Sequence, residues 1–293
     1  MAAASMGNTP RARNRKTGEL INKILFYILV GVILVYTIFP FYWAIVTSLT
    51  PTNRLFQTPP QYIPTNFTLE NYRSAYSNAN FLPALRNSTI VTLTTVVVAL
   101  VIGSFAAYAM GRLRFRGRTF ILYLILSMTM FPGIAIVGTF YQMVIGLGLY
   151  NTVWALIIAN TVFTLPFTVW TLTNFFKSMP GELEEAALVD GATPFQTFYK
   201  VLLPLAAPGL VTTGLLAFIG AWNELLFALT FTQDYNARTA IVFVATFAGE
   251  SEFSLPWGSI MALSVTLTIP LIILVLIFQR RILAGLTAGA VKG

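Results

Sequence analysis

The chain has 293 residues, of which 56% are hydrophobic and only 10% charged, against about a quarter charged in soluble domains, so it reads as an all-α integral membrane protein. It has neither cysteine nor histidine, which excludes disulfides, thiolate or imidazole metal sites and histidine acid/base chemistry. The net charge of +8 points to topology and not to nucleic acid, provided the cations gather on one side of the membrane.

Residues 1–23 form a polar, basic arm carrying Arg11, Arg13, Arg15, Lys16 and Lys23, and an apolar run over 24–46 follows. That run exceeds the about seven to fifteen residues of a signal-peptide core, and Thr47-Ser48-Leu49-Thr50 offers no small-residue cleavage pattern, so an uncleaved first span is expected. Residues 51–86, rich in Pro, Asn, Thr and Tyr, read as a folded external loop. A second span covers 87–110. Arg112, Arg114, Arg116 and Arg118 fill the short connection to a third span, 120–141, which Pro132-Gly133 interrupts. A fourth span covers 152–175 with Pro166 inside it. A polar insert, 178–208, separates it from a fifth span at 209–229. A second external loop covers 230–256, the sixth span 260–278 contains Pro270, and 279–293 form a tail. Residues 24–278 are thus expected to make one six-helix domain, with Pro132, Pro166 and Pro270 as candidate hinges.

Six spans put both termini on one side. With the termini inside, the inner segments carry fourteen of the Lys and Arg residues and the outer loops only Arg54, Arg73, Arg86 and Arg238. The positive-inside rule therefore places both termini and the 178–208 insert in the cytoplasm.

That insert reads as helix, turn, helix. Pro180 and the acids Glu182, Glu184 and Glu185 suit a helix start over 181–189, since proline fits the first turn and carboxylates favour the positive end of the helix dipole. Asp190-Gly191 ends this helix, glycine supplying a left-handed closing residue. Thr193 and Gln196 have capping-box spacing for a second helix, expected to run to about residue 202 before Pro204 and Pro208 stop it.

Glu185-Ala186-Ala187, three residues, Gly191, nine residues, then Val201-Leu202-Leu203-Pro204 resembles the EAA signature of permease subunits in binding-protein-dependent ABC importers, with Val201 in place of the family's isoleucine. The resemblance implies a type I ABC importer permease fold whose first loop helix docks on a partner ATPase. Glu184, Glu185, Ala186, Ala187, Asp190, Gly191 and Pro204 are then the coupling residues. Adjacent alanines allow close approach, the acids offer charge pairs, and Gly191 reverses the chain.

The most polar point within a span is Trp222-Asn223-Glu224, and an ionisable residue at membrane depth is a functional candidate by default. The triplet resembles that of sugar-importer permeases, as the tail resembles that of the maltose type. With Asn160 and Thr164 on the fourth span it makes up the candidate substrate path, amides and hydroxyls serving sugar hydroxyls and the indole a ring face. Helix packing is the competing reading for each of these residues.

The chain has no Gly-x-x-x-x-Gly-Lys-Ser/Thr loop, so no phosphate cradle of its own. It is expected not to be an enzyme and to hold no cofactor. The resemblance implies ATP and Mg bound by an ATPase dimer, a second permease subunit, an extracytoplasmic sugar-binding protein, and a bacterial or archaeal inner membrane; the outer loop 230–256 is the expected contact for the binding protein. The substrate implied is a di- or oligosaccharide of the maltose or trehalose type. The alternative is a secondary transporter driven by an ion gradient through Glu224.

Overall fold

Lipid offers backbone polar groups no partner, so apolar runs of spanning length must close their hydrogen bonds within a helix. In the computed structural model the backbone is described for residues 10–63, 66–247 and 255–290, and side chains for those of them between Glu19 and Gln279. All regular structure among these residues is helical. The first helix, α1, runs Pro10–Ser48, so the basic arm is helical from Pro10 onward. After a short 3-10 turn come α2 (Glu70–Ser77) and α3 (Phe81–Arg112). Then follow α4 (Arg118–Ser127), α5 (Gly133–Gly146) and α6 (Val153–Ser178). The polar insert folds as α7 (Glu182–Val189), α8 (Pro194–Thr197), a π turn over Phe198–Leu202 and α9 (Leu203–Leu205). The chain continues through α10 (Ala207–Trp222), α11 (Leu226–Phe231), α12 (Ala240–Ala245) and α13 (Trp257–Ala290). Part of the expected tail is thus a continuation of the last helix, while residues 291–293 and the stretch 248–254 of the second loop lie outside the described residues.

Four helices are unbroken and apolar enough to cross a membrane: α1 from Glu19, α3, α6, and α13 to Gln279. The expected third span is two helices, Arg118–Met130 and Gly133–Gly146, meeting at 97°. Proline denies the preceding residue a helical conformation. Phe131 is accordingly extended, at φ −76° and ψ 120°, between a 3-10 turn and Pro132. The expected fifth span also differs. Its helix ends at Trp222, and Leu226–Phe231 forms a separate helix. Upstream, the second helix of the insert passes its expected end near residue 202 and reaches Leu205, meeting Ala207–Trp222 at 73°. The π turn, in which the Leu203 N–H reaches back to the Phe198 carbonyl, lets the helix pass Pro204. Pro208 then lacks the N–H that would continue the ladder. Of the three candidate hinge prolines only Pro132 sits at a break; Pro166 and Pro270 lie inside continuous helices.

The most extensive helix contact is α3 against α6. In lipid, helices gain by letting backbones approach closely over small residues. Ala99, Gly103, Ala107 and Gly111 recur every four positions on α3. A Cβ on Gly103 would stand 2.5 Å from Thr168 Cγ2, and one on Gly111 3.1 Å from Phe176 Cβ. The spacing was visible in the sequence, yet neither composition nor hydropathy singles it out.

At the end of α3 where it begins, asparagine amides sew loops to helices. Asn71 Nδ2 donates to the Ser48 and Thr50 carbonyls at 3.0 and 2.9 Å, joining α2 to the end of α1. Asn87, 1% exposed, donates to the carbonyls of Tyr235, Asn236 and Arg238 at 3.1, 3.2 and 3.0 Å. Asn151, at φ 58°, accepts from the N–H groups of Gln233 and Asp234. The described parts of the two polar loops are therefore folded onto the bundle, as the composition of the first suggests. Arg112, at the other end of α3, lies about 38 Å from Asn87 at 1.5 Å per residue.

Candidate functional site

The insert at the Arg112 end is framed by local rules. The three acids of α7 sit in its first turn. Gly191 closes the helix at φ +80°. Its N–H donates to the Leu188 carbonyl and the Ala192 N–H to the Ala187 carbonyl, both at 3.0 Å, the Schellman arrangement. A Cβ on Gly191 would meet nothing within 4 Å, so the glycine is required for its backbone angle and not for space. One residue after Ala192, Thr193 and Gln196 cap each other: Thr193 N–H donates to Gln196 Oε1 at 2.8 Å and Gln196 N–H to Thr193 Oγ1 at 3.2 Å.

Helical period then divides α7 into two faces. Glu182, Glu185, Ala186 and Val189 are exposed, whereas Leu183, Glu184 and Ala187 turn toward the bundle. The two alanines of the signature thus do different work: Ala187 packs inward at 8% exposure and Ala186 faces out. Asp190 and Gly191 are exposed at the turn, and Pro204 is exposed away from it on α9. The tip carries apolar residues in water's reach, Leu188, Phe195 and above all Val189 at 87% exposure. These three were not singled out from the sequence. Their signal is an unburied apolar residue beside the acids, and a linear pattern does not show which face is free.

Glu184, expected to pair with a partner, is engaged within the chain. Arg112 Nε approaches Glu184 Oε1 at 3.2 Å, an ion pair lacking hydrogen-bond alignment, both atoms being buried. The guanidinium also donates through its two terminal nitrogens to the carbonyls of Met179 and Pro180, each at 3.0 Å. Beneath it, Phe198 of the π turn is 2% exposed and packs its ring against Phe105, Tyr108 and Phe176 with centroids 5.0, 4.9 and 6.1 Å away. The loop is thus held to α3 and α6 by rings and by one arginine.

The second candidate group is at the break between α10 and α11. Asn223 Nδ2 donates to the Ile219 carbonyl at 2.8 Å, closing α10. Glu224 turns the other way: its Oε1 accepts from Phe227 N–H at 2.7 Å and its Oε2 from Ala228 N–H at 3.0 Å, so the carboxylate caps α11 as an N-cap acid does. Trp222 is 6% exposed, donates its indole N–H to the Leu267 carbonyl of α13 at 3.1 Å and stacks on Phe218. The triplet therefore does not present one surface. Asn160 is buried and donates to Leu156 O one turn back, and Thr164 is half-buried on the same helix. Their helix meets the break through Phe163, whose ring lies 5.0 Å from Phe227 and 6.1 Å from Phe140 of α5. Gly133, at the α4–α5 bend, would place a Cβ 3.6 Å from both Leu226 and Phe227. Two helix breaks on different spans are thus packed together beside α6.

A bundle of membrane-length helices, with breaks on two spans packed together inside it and an exposed, rigidly framed helix at one end, is the form of a membrane-spanning subunit that can meet a partner. The chain belongs to the family of binding-protein-dependent transport system inner membrane components, which matches residues 99–287, from α3 to α13. It is 46% identical over 258 residues to the trehalose transport system permease protein SugB of Mycobacterium tuberculosis, covering 88% of this chain and 93% of that protein. It is 41% identical over 277 residues to the trehalose/maltose transport system permease protein MalG of Thermococcus litoralis, covering 94% and 99%. The fold is similar to that of a chain in the crystal structure of a bacterial ABC transporter involved in the import of alginate, with a TM-score of 0.77 over 94% of this chain and 99% of that one, at 23% identity.

Proposed function

We propose that this chain is one permease subunit of an ATP-driven importer for a di- or oligosaccharide of the trehalose or maltose type. It would form half of the translocation path beside a second permease, with α7 docked on an ATPase dimer that binds ATP and Mg, and with substrate delivered by an extracytoplasmic binding protein. The observation that carries this reading is the α7 tip: an exposed face of Glu185, Ala186 and Val189 fixed by a Schellman turn and a capping box. A surface that is both apolar and rigid lowers the ordering cost of docking. The charge asymmetry of the loops supports a cytoplasmic α7 and cytoplasmic termini in a cell inner membrane. The substrate class rests on the trehalose and maltose permeases to which the chain is similar.

On this reading the ATPases pull α7, and the bend at Pro132 together with the α10–α11 break gives the bundle places to rearrange around Asn160, Thr164 and the rings of Phe140, Phe163 and Phe227. Trp222 and Glu224 support the break from behind. A gradient-driven mechanism through Glu224 is disfavoured, because both carboxylate oxygens already accept backbone N–H groups.

The test is affinity capture of the full chain from membranes with mass spectrometry, comparing wild type with Glu185→Lys and Gly191→Asp. An ATPase and a second permease should accompany the wild type, and the ATPase should be lost from both variants. Uptake of trehalose or maltose by the reconstituted complex should follow ATP hydrolysis and survive collapse of ion gradients. Capture without any ATPase would overturn the reading.

A further inference from the structure

Four arginines close α3 and the connection after it, and in sequence they are equivalent. In the fold they are not. Arg114 and Arg116 are exposed, and Arg118 donates to Leu113 O nearby. Arg112 is 11% exposed in its side chain and reaches across to two other elements. It accepts this position because Gly111 lets α3 lie against the end of α6, where a Cβ would stand 3.3 Å from Thr173 O and 3.1 Å from Phe176 Cβ. The last carbonyls of a helix have no partner within it, and Arg112 takes the two that follow α6, Met179 O and Pro180 O, while its third nitrogen faces Glu184 on α7.

We propose that Arg112 is a positioning residue for transport, a clamp that joins the ends of α3 and α6 to α7 so that displacement of α7 is delivered to the α3–α6 pair. This rests on the function proposed above, in which α7 is moved by an ATPase. The clamp suits the task because a guanidinium offers several donors in a fixed plane, so the two carbonyl contacts hold a direction as well as a distance while the ion pair adds attraction to Glu184. A cavity of ≈ 200 Å³ lined by Tyr108, Arg112, Glu184, Leu188, Pro194 and Thr197 lies beside the guanidinium. Packing there is open, so the arginine adds a polar connection between α3 and α7 to the apolar one that Leu183 makes with the cluster around Ala107 and Phe198. Without it α7 keeps its exposed face and its own caps, which do not involve Arg112, and the ATPase still docks; the helix then moves against the bundle instead of with it.

The test measures sugar uptake and ATP hydrolysis on the same proteoliposomes containing the complete importer with its binding protein. In Arg112→Gln, the ATPase should still co-purify, while sugar moved per ATP falls about tenfold, the size of an ordinary coupling between sites. Arg112→Lys should fall between, since an ammonium keeps the attraction to Glu184 without the planar two-carbonyl contact. Because the chain has no cysteine of its own, Arg112→Cys with Glu184→Cys can be bridged by a short thiol cross-linker, in partner subunits freed of cysteine. Bridging should restore the sugar-to-ATP ratio, a recovery that a purely folding role would not give. An unchanged ratio in Arg112→Gln, or loss of ATPase co-purification together with uptake, would overturn the clamp. Absence of ATPase from the wild-type preparation would instead overturn the functional reading beneath it.

Discussion

The two ends of the bundle are fastened by different chemistry. Where α3 begins, Asn71, Asn87 and Asn151 bond to loop backbone, and Asn87 alone holds three carbonyls. Where α3 ends, the loop is held by stacked and tilted rings around Phe198 and by the charge of Arg112. Neutral amide bonds to backbone make seams whose loss is felt as stability. A charged fork over a partly open cavity, next to an exposed apolar tip, makes a joint whose loss, on the proposed function, is felt in what the loop does to its partner. On the proposed function, the contrast separates the part of the chain that must stay folded from the part that must be moved.

The strongest way to break the contrast is to attack what both ends share. Gly103→Leu would force α3 from α6 at Thr168 and should cost about 3 kcal/mol, the upper range for overpacking. It is expected as a clear drop in melting temperature in detergent with both ends affected together; a variant of normal stability would mean that the small-residue stripe is not the central contact. Asn87→Ala should cost about 2 kcal/mol by removing three buried contacts. Hydrogen exchange should then rise at 235–240 while the α7 loop stays protected, and equal rises at both ends would erase the distinction. Glu224→Gln should cost about 1 kcal/mol, as for a weakened helix cap, and leave uptake indifferent to an ionophore. Uptake that becomes insensitive to pH only in this variant would return Glu224 to a proton-carrying role. Val189→Asp should change stability by less than about 0.5 kcal/mol, as an exposed substitution does, and yet reduce ATPase capture about tenfold, the effect of losing a central interface anchor. Normal capture would move the docking surface elsewhere on the loop.

The comparison also shows which features the residues announce. The α7 loop could be read almost to the residue, since each device in it is local: Gly191 needs a left-handed angle, and Thr193 and Gln196 satisfy each other's backbone at a spacing of three. The apolar spans were legible for the same reason, hydrophobic length being a property of consecutive residues. The break after Trp222 was not. Residues 209–229 are apolar apart from Thr212, Thr213, Asn223 and Glu224, and a lone acid in a span reads as a functional group until its carboxylate is seen capping Phe227 and Ala228. Trp222 was misleading in a similar way, because an indole suited to a sugar ring is equally suited to a carbonyl on α13.

What the sequence by itself determined is therefore the membrane class, the approximate places of the apolar helices, and the form of the exposed loop. Only the tertiary structure decided how sharply the third span turns at Pro132, that the fifth span breaks after Trp222, that Glu184 faces inward while Val189 faces out, and that one of four arginines reaches across to the loop. The physical reason is range. Caps, turns and hydrophobic length are settled within a few residues of chain, whereas the partner of Arg112 is chosen by how closely Gly111 lets α3 approach α6, some sixty-odd residues further along the sequence.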